Sequence, residues 1–426
     1  MTRTSPGHSG AKMTEHHTTD IAVLGAGAIG MAVALQLVQE GREVVIVDPG
    51  APGMGASYGN AGTIADYAVQ PVGTPDVLKN LPALLFDRNS PLAIRHAALP
   101  TLAPWLLRFA RQSLPGAAAR NAQAIAALVG SANARWRDFA AEIGGSALLQ
   151  HRGCLYLYET AAAFRAAGRD MTARRTLGIE VELLRPEAFS AMEPGLPVVE
   201  GGAAYFPQAT FLSDPGEMMR RLAARLTALG VPHLHHRAEN LSRQFDGILV
   251  QGPGLRLHAR QVVIAAGAHS RALAAQAGDR VPLDTERGYH VEWDMERPRL
   301  TRPTCPTTRG FYLCPMSGRL RVAGTVELGG LTAPPSPHRI ARLVEGARAI
   351  FPDLGTPSRD WMGFRPSMPD SLPVISPSRA GNDVIHAYGH GHIGLTLAPI
   401  TARIVADIAA GRQTDLDVAP YAVTRF

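Results

Sequence analysis

Lysine is nearly absent from this 426-residue chain. Lys12 and Lys79 are the only two lysines, so the formal net charge of +6 comes from arginine. A run or stripe of basic residues is the usual signature of binding to a nucleic-acid backbone, and this sequence contains none. We therefore expect no nucleic-acid partner, and we interpret the charge as dispersed surface arginine with a mild preference for anionic ligands.

Cysteine is also scarce, and long apolar runs are missing. Cys154, Cys305 and Cys314 show no CxxC spacing, so we expect free thiols in a reducing, cytoplasmic compartment. The histidine pairs lack neighbouring cysteine or carboxylate ligands, so no metal site is predicted. No uninterrupted apolar run approaches the roughly 20 residues that cross a bilayer. Residues 1–19 are polar and predict a disordered tail, not a secretory signal.

The clearest motif lies in residues 20–48. An apolar strand leads into Gly25-x-Gly27-x-x-Gly30, a helical pattern follows to Gln39, and a second strand ends at Asp48. Such a turn places a pyrophosphate against glycine backbone and the helix N-terminus, and the acid accepts from a ribose hydroxyl. The pattern predicts a bound dinucleotide, but it does not separate FAD from NAD.

Weaker patterns organise the rest of the chain. The glycine-rich stretch 50–63 predicts an irregular loop in which Ser57 and Asn60 are the candidate ligand contacts. Strand patterns at 285–292, 311–313 and 320–324 indicate an antiparallel sheet. Proline-punctuated apolar segments between 81 and 107 indicate short helices broken by proline. We divide the chain into a tail (1–19), a dinucleotide domain (20–65, 190–280 and 355–426) and a substrate or cap domain (66–189 and 281–354).

Six ordered motifs carry a family resemblance over residues 20–426. They resemble the D-amino acid oxidase/dehydrogenase superfamily of FAD enzymes, most of all its bacterial D-amino acid dehydrogenases and hydroxy-D-proline dehydrogenase-like members. The order of the motifs is far more specific than any one of them. The six are the fingerprint, Gly59-Asn60-Ala61-Gly62, Val263-Ile264-Ala265-Ala266-Gly267, Glu286-Arg287-Gly288-Tyr289-His290, Gly363-Phe364-Arg365-Pro366 and Gly389-His390-Gly391-His392-Ile393-Gly394-Leu395-Thr396.

The resemblance implies an α/β fold: a Rossmann-like FAD-binding domain of the glutathione-reductase type, with an α+β substrate domain on an antiparallel sheet. It also implies that the start of the last helix points its N–H groups at the anionic edge of the reduced flavin, as a helix N-terminus favours. The cofactor contacts it implies are Gly25, Ala26, Gly27, Ile29, Gly30, Asp48, Ser57, Asn60, Ala61, Gly62, Ala238, Ala266, Gly267, Gly391, His392, Ile393, Gly394, Leu395 and Thr396.

Four residues are candidates for the chemistry. Arg365 falls where the family places its substrate-carboxylate arginine, whose planar fork orients the α carbon for hydride transfer to flavin N5. Tyr289 and His290 are neighbours on a predicted strand and point to opposite faces, so only one can face the flavin. His392 lies in the glycine-rich helix start. Core packing is the alternative for Tyr289 and His290, and a salt bridge is the alternative for Arg365.

The resemblance implies FAD-dependent oxidation of a D-amino acid to an imino acid, with D-proline or hydroxy-D-proline as candidate substrates. Because some oxidases of the family place a lysine over the flavin, the scarcity of lysine favours a dehydrogenase that reduces a quinone or another acceptor. The alternatives are a sarcosine- or glycine-type oxidase and a non-catalytic FAD-binding subunit of a hetero-oligomer. An NAD enzyme is disfavoured, because the loop at Asn60 and the last helix would have no role in it.

Two further expectations concern partners. The apolar segments between 81 and 107 are candidates for peripheral contact with the inner face of the membrane, with buried cap packing as the alternative. An oligomer is compatible with the sequence, which does not define its size.

Overall fold

The structure, a computed structural model, describes residues 15–79 and 92–426. The strands are β1 (Glu15–Leu24), β2 (Val44–Val47), β3 (Thr63–Ile64), β4 (Leu92–Ile94), β5 (Leu149–Gln150), β6 (Cys154–Tyr158), β7 (Glu182–Leu184), β8 (Gly202–Phe206), β9 (Thr210–Leu212), β10 (His233–Leu234), β11 (Asn240–Gln244), β12 (Gly247–Gly252), β13 (Leu255–Ile264), β14 (Asp284–Asp294), β15 (Thr304–Pro306), β16 (Phe311–Met316), β17 (Arg319–Leu328), β18 (Arg359–Ser367), β19 (Val374–Ser378) and β20 (Gly381–Tyr388). The helices are α1 (Ala28–Gln39), α2 (Pro75–Lys79), α3 (Leu99–Gln112), α4 (Pro115–Val129), α5 (Ala132–Glu142), α6 (Ala161–Thr176), α7 (Pro186–Met192), α8 (Pro215–Ala228), α9 (Ser270–Gln276), α10 (Pro337–Arg348) and α11 (Gly394–Ala409).

The first sheet has a parallel centre in the order β10-β2-β1-β13-β20, with β12 and β11 added antiparallel to the first half of β13. Its central strands are buried on both faces where the sequence is an unbroken apolar run, as in β2 and in residues 262–264 of β13. Helices α1, α8 and α11 pack on one side of it. The predicted strand–helix–strand order of residues 20–48 is confirmed, and α1 ends at Gln39 as expected.

The predicted boundary of the disordered tail is wrong at its end. Residues 15–19 belong to β1 and pair in parallel with residues 255–259 of β13. The tail was predicted to be disordered because its residues are polar. Residues 15–19 are nevertheless held in the sheet by backbone hydrogen bonds to the first half of β13, which do not depend on apolar side chains. Residues 1–14 lie outside the described residues.

The second sheet runs in the order β18-β14-β17-β16-β15-β6-β8-β7. It is antiparallel as predicted for β14, β16 and β17, but β15 pairs in parallel with β6, and β4 pairs in parallel with β17. One face packs against α10 and forms a separate apolar core. The other face turns toward the first sheet and carries the polar residues described below.

Strand pairing and packing correct the predicted division of the chain in three places. β8 and β18 lie in the second sheet, although 190–280 and 355–426 were assigned to the dinucleotide domain. Helices α4 and α5, assigned to the cap, bury Ile125 and Trp136 in the core of the first sheet. Apolar faces determine packing here, and a sequence shows that a face is apolar without showing which core it joins.

Two helices differ from their predicted form. Of the proline-broken segments, 81–91 lies outside the described residues, whereas 99–107 belongs to the single helix α3 with Pro104 inside it, preceded by β4 and a short 3-10 turn at 96–98. The last helix and its preceding turn, Gly391–Ala409, have the length and composition of a membrane span. However, 72% of the apolar window is buried, which is typical of the core helix that α11 forms against α1 and α5.

Candidate active site

The fingerprint turn is closed by contacts that exclude side chains. Gly25 has φ +118°, and a Cβ there would lie 2.4 Å from the carbonyl oxygen of Ala265. A Cβ on Gly30 would lie 1.9 Å from the carbonyl oxygen of Gly25. Asp48 ties the turn to β2, because its Oδ2 accepts from the Ala26 amide at 2.8 Å. The three chain segments therefore meet with backbone against backbone, as a dinucleotide turn requires.

The N-terminus of α1 is open to an anion. Gly27 is its N-cap and makes no side-chain cap, and the first turn contains no acidic residue. Ser57 Oγ accepts from the Ala28 amide at 2.9 Å, which brings the glycine-rich loop to the helix start. Ile29 is partly buried on the next position of α1. A helix N-terminus carries unpaired N–H groups and positive partial charge. The fingerprint turn 25–30 and the adjoining glycine-rich loop, together called the cradle, therefore fit a pyrophosphate.

The nucleotide end of the cradle is more charged than the sequence indicated. Asp48 Oδ1 accepts from the Gly50 amide at 2.7 Å, so each carboxylate oxygen accepts a hydrogen bond from a backbone amide. Each oxygen keeps a further lone pair that can accept from a ribose hydroxyl. Arg237 and His269 lie near it. The pKa of His269 is lowered by loss of hydration and by Arg237, and Asp48 opposes this shift. Neither residue was predicted.

Ala238, Ala266 and Gly267 border this end. Ala238 and Ala266 are half-buried against the core below the first sheet. Gly267 has φ +55°, and nothing lies within 4 Å of the place where its Cβ would be. The predicted strand exit is thus a half-buried backbone corner with open space beside Gly267.

The glycine-rich loop is held from the second sheet. Asn60 Oδ1 accepts from the Gly62 amide at 2.8 Å, so Asn60 shapes the loop itself, and Ala61 between them is half-buried. Arg321 Nη1 donates to the carbonyl oxygen of Tyr58 at 2.9 Å. His290 Nδ1 donates to the carbonyl oxygen of Gly59 at 3.2 Å.

Trp361 explains why two positions of the sequence motifs, Gly59 and Gly363, are glycine. A Cβ on Gly59 would lie 1.9 Å from its indole, and a Cβ on Gly363 would lie 2.0 Å from it. The indole also stacks on His290, with ring centroids 5.1 Å apart and planes 16° from parallel. The loop, β18 and β14 therefore meet at one aromatic side chain.

The expectation that His290 is catalytic is corrected. It faces the loop side of β14, as one of the pair had to, but it is only 1% exposed and bonded to Gly59. Burial and the Arg321 guanidinium lower its pKa to about 3, despite the opposing effect of Glu292. In the neutral ring the proton is on Nδ1, because a carbonyl oxygen can only accept. The ring is therefore positioned to donate a hydrogen bond to the loop, not to abstract a proton from a substrate.

Tyr289 is also corrected as a catalytic candidate. It points to the opposite face of β14, into the core against α10. Its hydroxyl donates to Glu327 Oε2 at 2.6 Å and accepts from the Ser336 amide at 3.1 Å. Burial and the neighbouring Glu327 raise its pKa. Tyr289 is therefore part of a buried network with Arg287 and Glu327.

Arg365 is the best placed of the four candidates. Its Nη1 donates to the carbonyl oxygen of Thr325 at 3.1 Å, and its guanidinium lies on Gly288, where a Cβ would be 2.4 Å from Nη2. Burial lowers its pKa, and the nearby carboxyl of Glu286 opposes the shift. Among the described residues no carboxylate lies within ion-pair distance of it. A buried guanidinium that has no carboxylate partner in the described part of the chain is suited to bind the carboxylate of a ligand.

Loss of hydration, in the first place, and the nearby Arg365 guanidinium lower the pKa of His392 to about 4. By surface area the residue is not enclosed, so a ligand can reach it from this side. Gly391 has φ +55° and open space around its Cβ position, and α11 begins at Gly394 without a side-chain cap or an acidic first turn. The N–H groups of this helix start are therefore without a side-chain cap, and their contact with a flavin stays a prediction.

Three residues of this segment serve the fold in the structure. Ile393 is buried in the core of the first sheet. Thr396 Oγ1 accepts from the Ala65 amide at 3.0 Å, and the carbonyls of Leu395 and Thr396 accept from Trp136 Nε1. The expectation that all of 391–396 contacts the cofactor is therefore narrowed: side chains 393, 395 and 396 anchor the segment.

An aromatic wall continues the same face of the second sheet beyond Arg365. The hydroxyl of Tyr312 donates to that of Tyr156 at 3.2 Å, and Tyr67 stacks on Phe206 with centroids 4.4 Å apart. Tyr67 also donates to Cys154 Sγ at 3.1 Å, and burial raises the pKa of this thiol to about 12. A thiol in this state is inert, in agreement with the expectation of free cysteines.

Comparison with known proteins places the whole chain in one group. A sequence model of the DAO family, described as FAD-dependent oxidoreductase, matches residues 20–408. A D-amino-acid oxidase of Bradyrhizobium diazoefficiens is 33% identical, covering 95% of this chain and 98% of its own. D-amino acid dehydrogenase 2 of Ralstonia nicotianae is 32% identical, covering 95% and 100%. The crystal structure of glycine oxidase from Geobacillus kaustophilus is similar with a TM-score of 0.75 and 25% identity, covering 96% and 99%.

Proposed function

Because the chain belongs to the DAO family of FAD-dependent oxidoreductases, we propose that it is a dehydrogenase that oxidises D-amino acids. Relatives named D-amino acid oxidase and D-amino acid dehydrogenase cover nearly the full length. The single observation that carries the proposal is Arg365, a guanidinium without a carboxylate partner among the described residues. It lies on the sheet face that turns toward the cradle.

The cradle fits FAD on structural grounds. Gly25 and Gly30 leave no room for side chains, the first turn of α1 contains no acidic residue, and Asp48 stands at the end of β2. Gly391 and the start of α11 provide a second set of N–H groups, some 360 residues after the fingerprint in the sequence. When bound, FAD supplies the ring that accepts a hydride from the α carbon of the substrate.

The residues of this chain act by holding and orienting the substrate. Arg365 binds the substrate carboxylate through its free N–H donors, while Nη1 remains bonded to Thr325. When the carboxylate is held, the position of the α carbon relative to the flavin site is also set. The two reacting groups then no longer have to find the correct orientation by random encounter. His392 is neutral at physiological pH, with a pKa of about 4, so it adds no second positive charge beside Arg365 to repel the substrate ammonium group.

The test is anaerobic reduction of the bound flavin. We expect the flavin to bleach on addition of D-amino acids and to stay oxidised with the L-enantiomers. Bleaching by L-isomers alone would overturn the stereochemical assignment. A flavin that no amino acid bleaches would identify a non-catalytic FAD-binding subunit instead.

The substrate side chain is proposed to be cyclic or apolar. A D-proline or hydroxy-D-proline carries no charge beyond the amino acid core, which agrees with the tyrosines and Phe206 that continue the face of Arg365. Burial raises the pKa of Tyr156 to about 12, so its hydroxyl stays neutral. Comparing kcat/KM for D-proline, D-alanine and D-glutamate tests this, because a preference for D-glutamate contradicts it.

The electron acceptor is proposed to be a quinone. Lys79 is the only lysine in the described part of the chain, and it lies on the exposed helix α2, paired with Asp76 at 3.3 Å. No lysine from that part is therefore available beside the flavin to assist reduction of oxygen. Reduction of a soluble quinone should be faster than peroxide formation in air. Peroxide released at the full turnover rate would instead favour the oxidase reading, including the glycine-type alternative.

The proposed acceptor requires contact with the cytoplasmic face of a membrane, and α3 offers a surface for it. Leu107 and Leu114 are 74% and 50% exposed beside the exposed residues Arg108, Arg111 and Arg120. Apolar side chains among arginines are suited to an anionic lipid surface. Sedimentation with phosphatidylglycerol vesicles should exceed that with phosphatidylcholine vesicles.

Replacing both exposed leucines tests the membrane surface. The double variant Leu107→Ser, Leu114→Ser should lose vesicle binding. The matched control Phe245→Ser, which removes a fully exposed aromatic residue on the β11–β12 turn, should bind vesicles as the unmodified protein does. Equal binding by all three proteins would contradict the surface.

A further inference from the structure

Three consecutive carbonyls of the glycine-rich loop are bound by side chains of the second sheet. Arg321 Nη1 donates to the carbonyl oxygens of Tyr58 and Asn60, and His290 Nδ1 donates to that of Gly59 between them. Arg321 is completely buried and His290 is 1% exposed, so water does not compete for these bonds. The conformation of the loop is therefore set from the sheet.

Arg321 is itself fixed by a buried carboxylate. Its Nε donates to Glu292 Oε1 at 2.7 Å, and Glu292 also accepts from Arg319 and Arg359. Burial raises the pKa of Glu292, but the guanidinium groups of Arg321 and Arg319 outweigh this and hold it below its usual value. An ionised Glu292 orients Arg321, and a buried arginine without such a partner would be strongly unfavourable.

The other side of the loop is bonded to the fingerprint turn. Ser57 Oγ accepts from the Ala28 amide at 2.9 Å, and the Gly53 amide donates to the carbonyl oxygen of Ala26 at 2.7 Å. Hydrogen bonds thus lead from Glu292 through Arg321 to the carbonyls of residues 58 and 60, and from the neighbouring Ser57 to the N-terminus of α1. The loop is therefore held on one side by the second sheet and on the other by the fingerprint turn.

We propose that Arg321, oriented by Glu292 and assisted by His290, is a positioning residue for the FAD site. It sets residues 57–62 against the start of α1, so that the cradle is preorganised before the dinucleotide binds. Preorganisation strengthens binding because the ordering of the loop is already complete. Arg321 Nη2 is buried without a hydrogen-bond partner among the described residues, which leaves one donor for an acceptor on the ligand side or an ordered water.

The test separates positioning from simple stabilisation by a matched pair of variants. Arg321→Met and Arg287→Met each remove a completely buried arginine paired with a glutamate of the same sheet. Arg287 lies on the opposite face of β14, where Glu327 keeps a second partner in Arg95. Both apoproteins should unfold at lower urea concentration than the unmodified apoprotein.

FAD affinity of the apoproteins should differ between the two variants. Titration of FAD fluorescence should give a Kd raised about tenfold or more for Arg321→Met, the size expected for losing hydrogen bonds to a charged group. The Kd for Arg287→Met should stay within about twofold of the unmodified value, because distant sites act independently. Equal weakening in both variants, or an unchanged Kd in Arg321→Met, overturns the proposal.

A milder variant decides the question if Arg321→Met yields no soluble apoprotein. His290→Phe keeps an aromatic ring to stack on Trp361 and removes only the donor to Gly59. We expect it to raise the Kd for FAD about threefold to tenfold, as one lost hydrogen bond would. An unchanged Kd in this variant would show that the hydrogen bond from the sheet to Gly59 does not position the loop for FAD, which contradicts the proposal.

Discussion

The backbone carbonyl of Thr325 accepts a hydrogen bond from Arg365 Nη1 at 3.1 Å. Thr325 has φ +56°, a left-handed conformation that a β-branched residue rarely adopts. It lies where the pairing of β14 and β17 shifts, so that residues 325 and 326 oppose the single residue Gly288. The irregular strand thus provides the acceptor that holds the guanidinium, and the glycine provides the room for it.

Replacing Arg365 by lysine should impair substrate binding more than folding. Lysine keeps the charge but cannot bond the Thr325 carbonyl and a carboxylate as a planar fork does. We expect kcat/KM for D-amino acids to fall about a hundredfold, mostly through KM, the loss typical of a charged hydrogen-bonded contact. The control is Arg348→Lys, which alters an arginine that also bonds backbone carbonyls, those of Leu354 and Gly355. Its kcat/KM should stay at the unmodified value.

Adding one methyl group at Gly288 should displace Arg365. A Cβ there would lie 2.4 Å from Nη2, and this residue is not in the left-handed region, so strain would arise at the guanidinium and not in the backbone. We expect Gly288→Ala to fold, to bind FAD normally and to show KM raised about tenfold. Gly168→Ala, with open space around it on α6, is the control. Unchanged KM in Gly288→Ala would mean that Arg365 is not the carboxylate anchor.

Tyr289→Phe should change stability and leave catalysis intact. The hydroxyl donates to Glu327 and accepts from the Ser336 amide inside a buried network. Its removal takes the acceptor from the Ser336 amide and one donor from Glu327, which keeps Arg287 and Arg95. Leaving the buried amide without a partner costs about 1–3 kcal/mol of unfolding free energy. Urea unfolding measures this loss, and kcat and KM under saturating FAD should match the unmodified enzyme. A large fall in kcat at full flavin occupancy would restore Tyr289 as a catalytic candidate.

The parts of this fold that are local in sequence could be predicted, because local rules determine them. The strand, turn and helix of residues 20–39 follow from apolar periodicity and glycine spacing, and the structure places them within a few residues of the prediction. The helix α8 follows from its cap, since Asp214 Oδ1 accepts from the Glu217 amide at 2.9 Å. Such features need no knowledge of the rest of the chain.

The parts that depend on distant contacts could not be predicted. Trp361 requires glycine at positions 59 and 363, which lie about 300 residues apart, and no local pattern reveals that one indole separates them. Arg321 was missed because a buried arginine on a strand resembles a surface arginine in sequence. The alternation of Arg319 and Arg321 with apolar residues indicated that both side chains lie on one face of the strand. Glu292 could be identified as their partner only from the register of the neighbouring strand.

Two buried histidines predict how stability depends on pH. His390 is 2% exposed and its Nε2 contacts Thr401 Oγ1 at 3.0 Å. Burial lowers its pKa to about 3. His290, with a pKa of about 3, is in the same state. Since histidine in an unfolded chain has a pKa near 6.5, the unfolded state takes up protons below that pH while the folded state does not.

The contribution of each histidine is therefore fully present above pH 6.5 and is lost as pH falls toward 3. His390→Gln, whose amide can still contact Thr401, removes one such group. Between pH 7 and pH 5 the unfolding free energy of the unmodified protein should fall by about 2 kcal/mol more than that of the variant. Urea unfolding of both apoproteins at the two pH values measures this difference, from which the contribution of His290 cancels because both proteins contain it. A difference independent of pH would show that the pKa of His390 is the same in the folded and unfolded states, contrary to its burial.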